Sequence, residues 1–245
     1  MGRASWPAFF FAGLKKAGGP TNSAGTPARP TLAGLPLASR RAFIYGETDM
    51  AKHAVMPAAE LIPSLVAGVS STRASVRFGS AKALSLLAAE RPELLYPHFD
   101  FFVKQLDCPN GILRWNATRT LACLAPADRG NKLETALDKY LSPIPGPQMI
   151  AAATAIRWAS TIALAKPHLA DRIARAILGV RRAVYETEEC RNVAIGHAIQ
   201  SLGRFFEFIE DKKAVVKFVR AQLENPRPAT RAKARAFLAP PCRLL

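Results

Sequence analysis

Three pairings of an aromatic ring with a base recur along the chain: Phe78 with Lys82, Trp115 with Arg119, and Arg157 beside Trp158. In the first two the base follows the ring by four residues, which on a helix places both on one stripe. A cation–π contact there contributes about 0.5–1 kcal/mol at an exposed site. A surface that joins aromatic faces to positive charge suits a phosphate backbone or an acidic peptide. The competing reading is structural: Phe78, Trp115 and Trp158 fill gaps between stacked helices, and their bases are solvated. The stretches carrying the first two pairs, "VRFGSAKALSLL" (76–87) and "LRWNATRTLACL" (113–124), superpose as aliphatic, Arg, aromatic, small, then base, Leu and a closing Leu. Chemistry of this kind depends on a repeated element to position it.

Charge narrows the classes of partner. The chain of 245 residues carries a net charge of +16 and a pI near 10.3, which favours nucleic acid, anionic membrane or acidic protein surfaces. Six of the 34 bases and none of the 18 acids lie in residues 1–46, so 47–245 keeps 28 bases against 18 acids, or +10. That first segment holds five prolines and seven of the 15 glycines and is expected to be disordered. It reads as a transit-like tail, as a basic arm, or as a mis-assigned start ahead of Met50. No apolar run approaches the roughly 20 residues of a spanning helix, and "WPAFFFAGL" (6–14), followed by "KK", is a poor secretory signal. The expectation is a cytoplasmic protein without membrane insertion.

Cys108, Cys123, Cys190 and Cys242 form no C-x-x-C pair and are expected to be reduced, three of them buried on helices. His53, His98, His168 and His197 share no ligand spacing with one another or with the cysteines, so neither a metal nor a cofactor is expected. The chain contains no P-loop, G-x-G-x-x-G, H-E-x-x-H or ordered Ser-His-Asp set.

The positioning elements follow from periodicity and breakers. Apolar residues recur at helical spacing over 59–69, 75–90, 93–106, 112–125, 132–141, 148–165, 169–180, 188–206, 212–223 and 229–238, with Pro and Gly between them. No strand alternation stands out. The chain is expected to be all-α, in five helix pairs. Val76, Leu113, Met149, Cys190 and Thr230 anchor the second helices, 37, 36, 41 and 40 residues apart. A two-helix unit of that period signals an α-solenoid, whose units cover one another's apolar faces. On a helical wheel Leu113, Ala117, Thr120, Leu121 and Leu124 take one side of the fourth segment. Trp115, Thr118, Arg119 and Ala122 take the other.

The stretch "LDCPNGILRWNATRTLACLA" (106–125) resembles the HEAT-repeat pattern, with Asp107 and Pro109 in the turn, then Leu113, Arg114, Ala117 and Leu121. Val76, Arg77, Ser80 and Leu84 fit the same pattern, and Pro226, Arg231 and Ala234 keep part of it. The middle unit departs, with Ile150 where Arg is expected. The resemblance to this armadillo-type family spans 58–239, leaving 240–245 as a short tail. It implies a right-handed α-α superhelix whose second helices line the concave side. It further implies that the repeated bases Arg77, Arg114, Arg191 and Arg231 form a structural ladder, reaching turn acids such as Asp107 of adjacent units.

The second-helix segments 75–89, 112–125, 148–165 and 229–238 contain no Asp or Glu, and 188–206 carries only Glu188 and Glu189 in its first turn. Positive charge is therefore expected along one row, with Phe78, Lys82, Trp115, Arg119, Arg157, Trp158 and Arg204 as contact residues. Two functions follow. The first is a non-catalytic scaffold that binds an acidic protein partner. The alternative is a nucleic-acid-binding solenoid related to the DNA-alkylation-repair glycosylases. Those enzymes resemble this chain in size and HEAT-like build, but their groove carboxylate has no counterpart in the central second helices here. Self-association through the solenoid ends is also expected, because "APPCRLL" (239–245) is a poor cap.

Overall fold

The computed structural model describes residues 58–239, which hold helices and no strand. The expected segments 1–46 and 240–245, with Met50, His53 and Cys242, lie outside the described residues. Five helix pairs follow one another. They are α1 (Ala58–Gly68) with α2 (Ala74–Glu90), α3 (Pro92–Leu95) and α4 (Phe99–Gln105) with α5 (Gly111–Leu124), and α6 (Lys132–Leu141) with α7 (Met149–Ala165). The last two are α8 (Ala170–Leu178) with α9 (Glu188–Arg204), and α10 (Lys212–Arg220) with α11 (Pro228–Leu238). The protein is all-α, an α-solenoid.

Local chemistry sets these boundaries. The Asn110 side chain accepts from the N–H groups of Ile112 and Leu113, and Thr187 and Asp211 accept from those of Cys190 and Ala214, so α5, α9 and α10 begin with a bonded cap. Pro92 and Pro228 stand at the first position of α3 and α11, where a missing N–H costs nothing. The helix expected over 93–106 is broken by a 3-10 turn at Tyr96–His98, because Pro97 cannot donate to the preceding turn. At Gly146 φ is +109°, and an added Cβ would stand 2.1 Å from the Val184 carbonyl oxygen, so only glycine fits that loop.

The second helices stack in order, α2 on α5, α5 on α7, α7 on α9 and α9 on α11, while successive first helices touch little. A central second helix is thus covered by its own partner and by a neighbour on each flank. That corrects the two-sided wheel: Thr118 and Ala122, placed opposite the core side, are both buried. Only Ile112 in α5 is exposed, and Arg114, Trp115, Asn116 and Arg119 are left as a half-buried strip. First helices keep one clear face. In α10, Val215, Val216, Phe218 and Val219 are buried while Lys213, Lys217 and Arg220 face water. The cysteines also differ from expectation: Cys123 is buried, Cys190 is half-buried on α9, and Cys108 is half-buried in the turn after α4.

Two kinds of polar link tie successive units. Along the first helices, acids and bases pair at the surface: Asp100 with Lys132 (2.8 Å), Asp107 with Lys139 (2.5 Å) and Asp138 with Arg172 (2.6 Å). Beneath the turn into α6 lies a closed cluster. Asp128 accepts from the Tyr96 hydroxyl (2.6 Å) and from the backbone N–H groups of Lys132 (2.9 Å) and Leu133 (3.1 Å). It thereby supplies the cap that Asn131, in the left-handed region at φ 53°, does not. Lys166, from the unit's far end, stands 3.1 Å from the same carboxylate and donates to the Asp128 carbonyl and to Asn131 Oδ1, both at 2.8 Å.

Candidate functional site

The arginines that open the second helices close turns. Arg77 donates to the carbonyls of Ser71 and Thr72, and Arg231 donates to those of Asn225 and Pro226, the same six- and five-residue steps back in both units. Each satisfies carbonyls that the turn leaves without a partner. Arg191 lies 3.5 Å from Glu188 in its own helix. Arg114 alone of the four crosses units, and it meets Gln148 Oε1 at 2.6 Å, ahead of α7, where the resemblance implied an acid. Asp107 links to its neighbour through Lys139. Arg77, Arg191 and Arg231 are thus occupied within their own units, and the inter-unit ion pairs fall mainly on the first helices and the turns beside them. The middle unit departs in another way: α7 starts at Met149, so the fourth helical position, held elsewhere by Arg77, Arg114, Arg191 and Arg231, falls on Ala152.

The aromatic–basic pairs are rearranged. Arg77, not Lys82, lies over the Phe78 ring, at 4.9 Å from its centroid. Arg119 reaches across to the next unit and lies 5.1 Å from the Trp158 ring, on which Arg157 also stands at 5.8 Å. Two guanidinium groups thus approach the Trp158 ring, one from α5 and one from α7. Trp115 folds back over Gly111, where an added Cβ would stand 3.2 Å from its ring, and its Nε1 is buried without a partner. The Arg119 Nε is buried and unpartnered too. Burial pushes the Cys123 thiol upward in pKa, with the Arg119 guanidinium beside it pulling the other way.

Beyond this strip, α7 and α9 form an open recess of about 520 Å³ lined by Arg157, His197, Gln200, Ser201 and Arg204. Its walls are fixed by hydroxyls. Ser160 donates to the Arg157 carbonyl (2.8 Å) and accepts from Arg204 (3.0 Å), and Ser201 donates to the Ile156 carbonyl (2.6 Å). Arg157, Gln200 and Arg204 remain exposed. On the far side of His197, α11 comes close over Gly196, where an added Cβ would meet Thr230 Oγ1 at 3.0 Å and Lys233 Nζ at 3.3 Å. Burial first, then the positive charges of Lys233, Arg157 and Arg227, push the His197 imidazole down to about 4. Burial and Arg227 lower Lys233 in turn.

The contact residues expected from the sequence include Arg157 and Arg204 and leave out His197, Gln200 and Ser201, which line the recess with them. The missed signal is a helical stripe: His197, Gln200, Ser201 and Arg204 stand at positions i, i+3, i+4 and i+7 of α9.

Several bases of the second helices have no acid partner. Lys82, Arg119, Arg157, Arg204 and Lys233, on second helices, enter no ion pair among the described residues. The acids on that row are Glu90 at the end of α2 and Glu188 and Glu189 at the start of α9, where Glu189 holds Arg227 at 2.8 Å. Among the described residues no helix is long and apolar enough to cross a membrane, and no group of His, Cys, Asp and Glu could hold a metal ion.

The fold defines a class: an all-α repeat protein of the α-solenoid kind. No protein-family model matches the chain, and no curated protein matches it. Among solved structures it is similar to a designed armadillo repeat protein, at 17% identity and a TM-score of 0.49, over 73% of this chain and 83% of that one.

Proposed function

We propose that the chain is a non-catalytic binding module that docks an acidic segment of a protein partner along its second-helix row, centred on Arg157, Trp158 and Arg204. The observation that carries this reading is the placing of charge around the recess: Lys132, Lys139 and Arg172 of the first helices meet acids of neighbouring units, whereas Arg157 and Arg204 line an open recess and meet none. Bases without an ion partner attract an opposite charge without first breaking a salt bridge. Apolar side chains favour a protein over a nucleic acid. Val76, Ile112 and Ile150, each about two-fifths exposed, open three successive second helices at the same end of the row. A non-catalytic role is supported by the lining of the recess, which includes no carboxylate and whose one serine hydroxyl, Ser201, already donates to a carbonyl.

Fluorescence anisotropy of the full chain with a labelled Glu- and Asp-rich peptide, and separately with duplex DNA, tests the reading. The peptide is expected to bind at moderate salt and DNA weakly. Tight DNA binding whose log affinity falls with log salt by about 0.9 per phosphate contacted would overturn it.

A further inference from the structure

The recess between α7 and α9 is larger and richer in donors than one acidic side chain requires. Its volume of about 520 Å³ lies within the range that encloses a small ligand group together with its neighbours. Arg157 comes from α7 and Arg204 from α9, and Arg204 reaches across to Ser160 of α7 (3.0 Å), so two guanidinium groups line the one recess. A carboxylate offers two oxygens in one plane, which one fork satisfies. A phosphate monoester offers three oxygens in a tetrahedral array, which two forks and an imidazole N–H satisfy together. Gln200 adds an exposed amide on the same stripe.

Resting on the acidic-segment reading above, we propose that this recess receives a phosphorylated side chain of the docked segment, gripped by Arg157 and Arg204, with His197 donating the third hydrogen bond.

The surroundings of His197 favour a dianion over a single negative charge. Every charge that reaches the imidazole is positive: Arg157 from α7, Lys233 from α11 and Arg227 ahead of α11. Of these, Arg227 is held by Glu189 and the other two are in no ion pair among the described residues. In the free protein this crowding keeps His197 neutral at neutral pH. A phosphate carrying about two negative charges reverses the local field, so His197 gains a proton as the ligand enters. No bond is made or broken, and the proton comes from solvent.

Isothermal titration of the full chain tests this with three versions of one short acidic peptide, carrying phosphoserine, Ser or Glu at its centre. The phosphopeptide is expected to bind about tenfold or more tightly than the other two, the scale of one charge-assisted hydrogen bond. Arg157→Ala and Arg204→Ala are each expected to weaken the phosphopeptide by a larger factor than the Ser and Glu peptides, and so to remove that advantage. Arg157→Lys and Arg204→Lys, which keep charge but lose the fork, are expected to remove most of it. Titration in two buffers of different ionisation enthalpy should show proton uptake with the phosphopeptide, absent in His197→Gln. Equal binding of all three peptides would overturn the phosphate site and leave the acidic-segment reading standing. An advantage that survives both Arg→Ala substitutions would also overturn it. Binding of none of the three would sink the acidic-segment reading and the phosphate site with it.

Discussion

The Asp128 cluster and the Arg157–Arg204 recess both gather charge between neighbouring units, and they differ in what completes them. In the cluster the carboxylate is fully buried, Lys166 is nearly so, and every strong donor has an acceptor supplied by the chain. In the recess the guanidinium groups are exposed, no carboxylate is in reach, and the nearest imidazole is held neutral. A balanced, closed cluster fixes the register of one unit on the next. An unbalanced, open one is poised for a group from outside. Both are built from short polar contacts at helix ends and flanks, so the distinction lies in completion and not in residue type.

The largest effect that would break this comparison is on stability. Asp128→Ala leaves the Lys166 ammonium buried without its partner and the first N–H groups of α6 without an acceptor, at a cost of about 3–5 kcal/mol. Arg157→Ala, in the open recess, is expected to stay within about 0.5 kcal/mol of the parent. Urea unfolding followed by circular dichroism measures both. Similar losses for the two variants would erase the distinction. The Asp128 carboxyl also carries a pH signature. Burial raises its pKa, but the Tyr96 hydroxyl, the Leu133 N–H and Lys166 outweigh burial and hold it below the ordinary range. A depressed folded pKa gives stability that is complete above the unfolded value, about 3.9, and is lost as pH falls through the folded one.

The recess has the intermediate effect, in a different pH window. His197 titrates near 6.5 when unfolded and at about 4 when folded, so the unfolded chain binds the proton more readily between those values. Stability is therefore lost as pH drops from about 6.5 towards 4, by about 1–2 kcal/mol once solvent screening of the half-buried ring is allowed for. His197→Gln is expected to flatten the profile there while leaving the steeper fall below pH 4, which belongs in part to Asp128. Thermal melts of parent and variant across that range decide the matter. An unchanged slope between pH 6.5 and 4 would mean that the positive crowd around His197 is weaker than its geometry implies.

How much of this was readable in the sequence depends on whether the signal is periodic. The five pairs and most of their limits follow from Pro, Gly and capping residues that act within a few positions. Arg157 and Arg204 were visible as bases on an acid-free row. His197 has no metal-ligand spacing, and the stripe it shares with Arg204 is the one sign it carries. Helical spacing pairs Arg119 with Trp115 on its own helix, but packing turns it onto Trp158 of the next unit, a choice that depends on the lateral fit of α5 and α7. Asp128 and Lys166 gave no local sign. They lie in turns 38 residues apart, close to one repeat period, and only stacking brings them together.

The smallest effect concerns the surface ladder. Asp107 stands at the turn position where the HEAT pattern places an acid, and the resemblance implied an arginine partner; in the structure it is held by Lys139. Asp107 is well exposed and Lys139 half-buried, so the pair contributes only about 0.2–1 kcal/mol and is screened by salt. Asp107→Asn should therefore lower stability by about 0.5 kcal/mol at low ionic strength, with the difference fading towards zero in molar salt. The Arg114 contact to Gln148 is expected to be untouched, because it lies on the other row and uses no acid. A double-mutant cycle of Asp107→Asn with Lys139→Met, and a second with Arg114→Met, separates the two partners. Coupling of Asp107 to Arg114 instead of Lys139 would return the ladder to the second-helix row, and with it remove part of that row's unpaired positive charge.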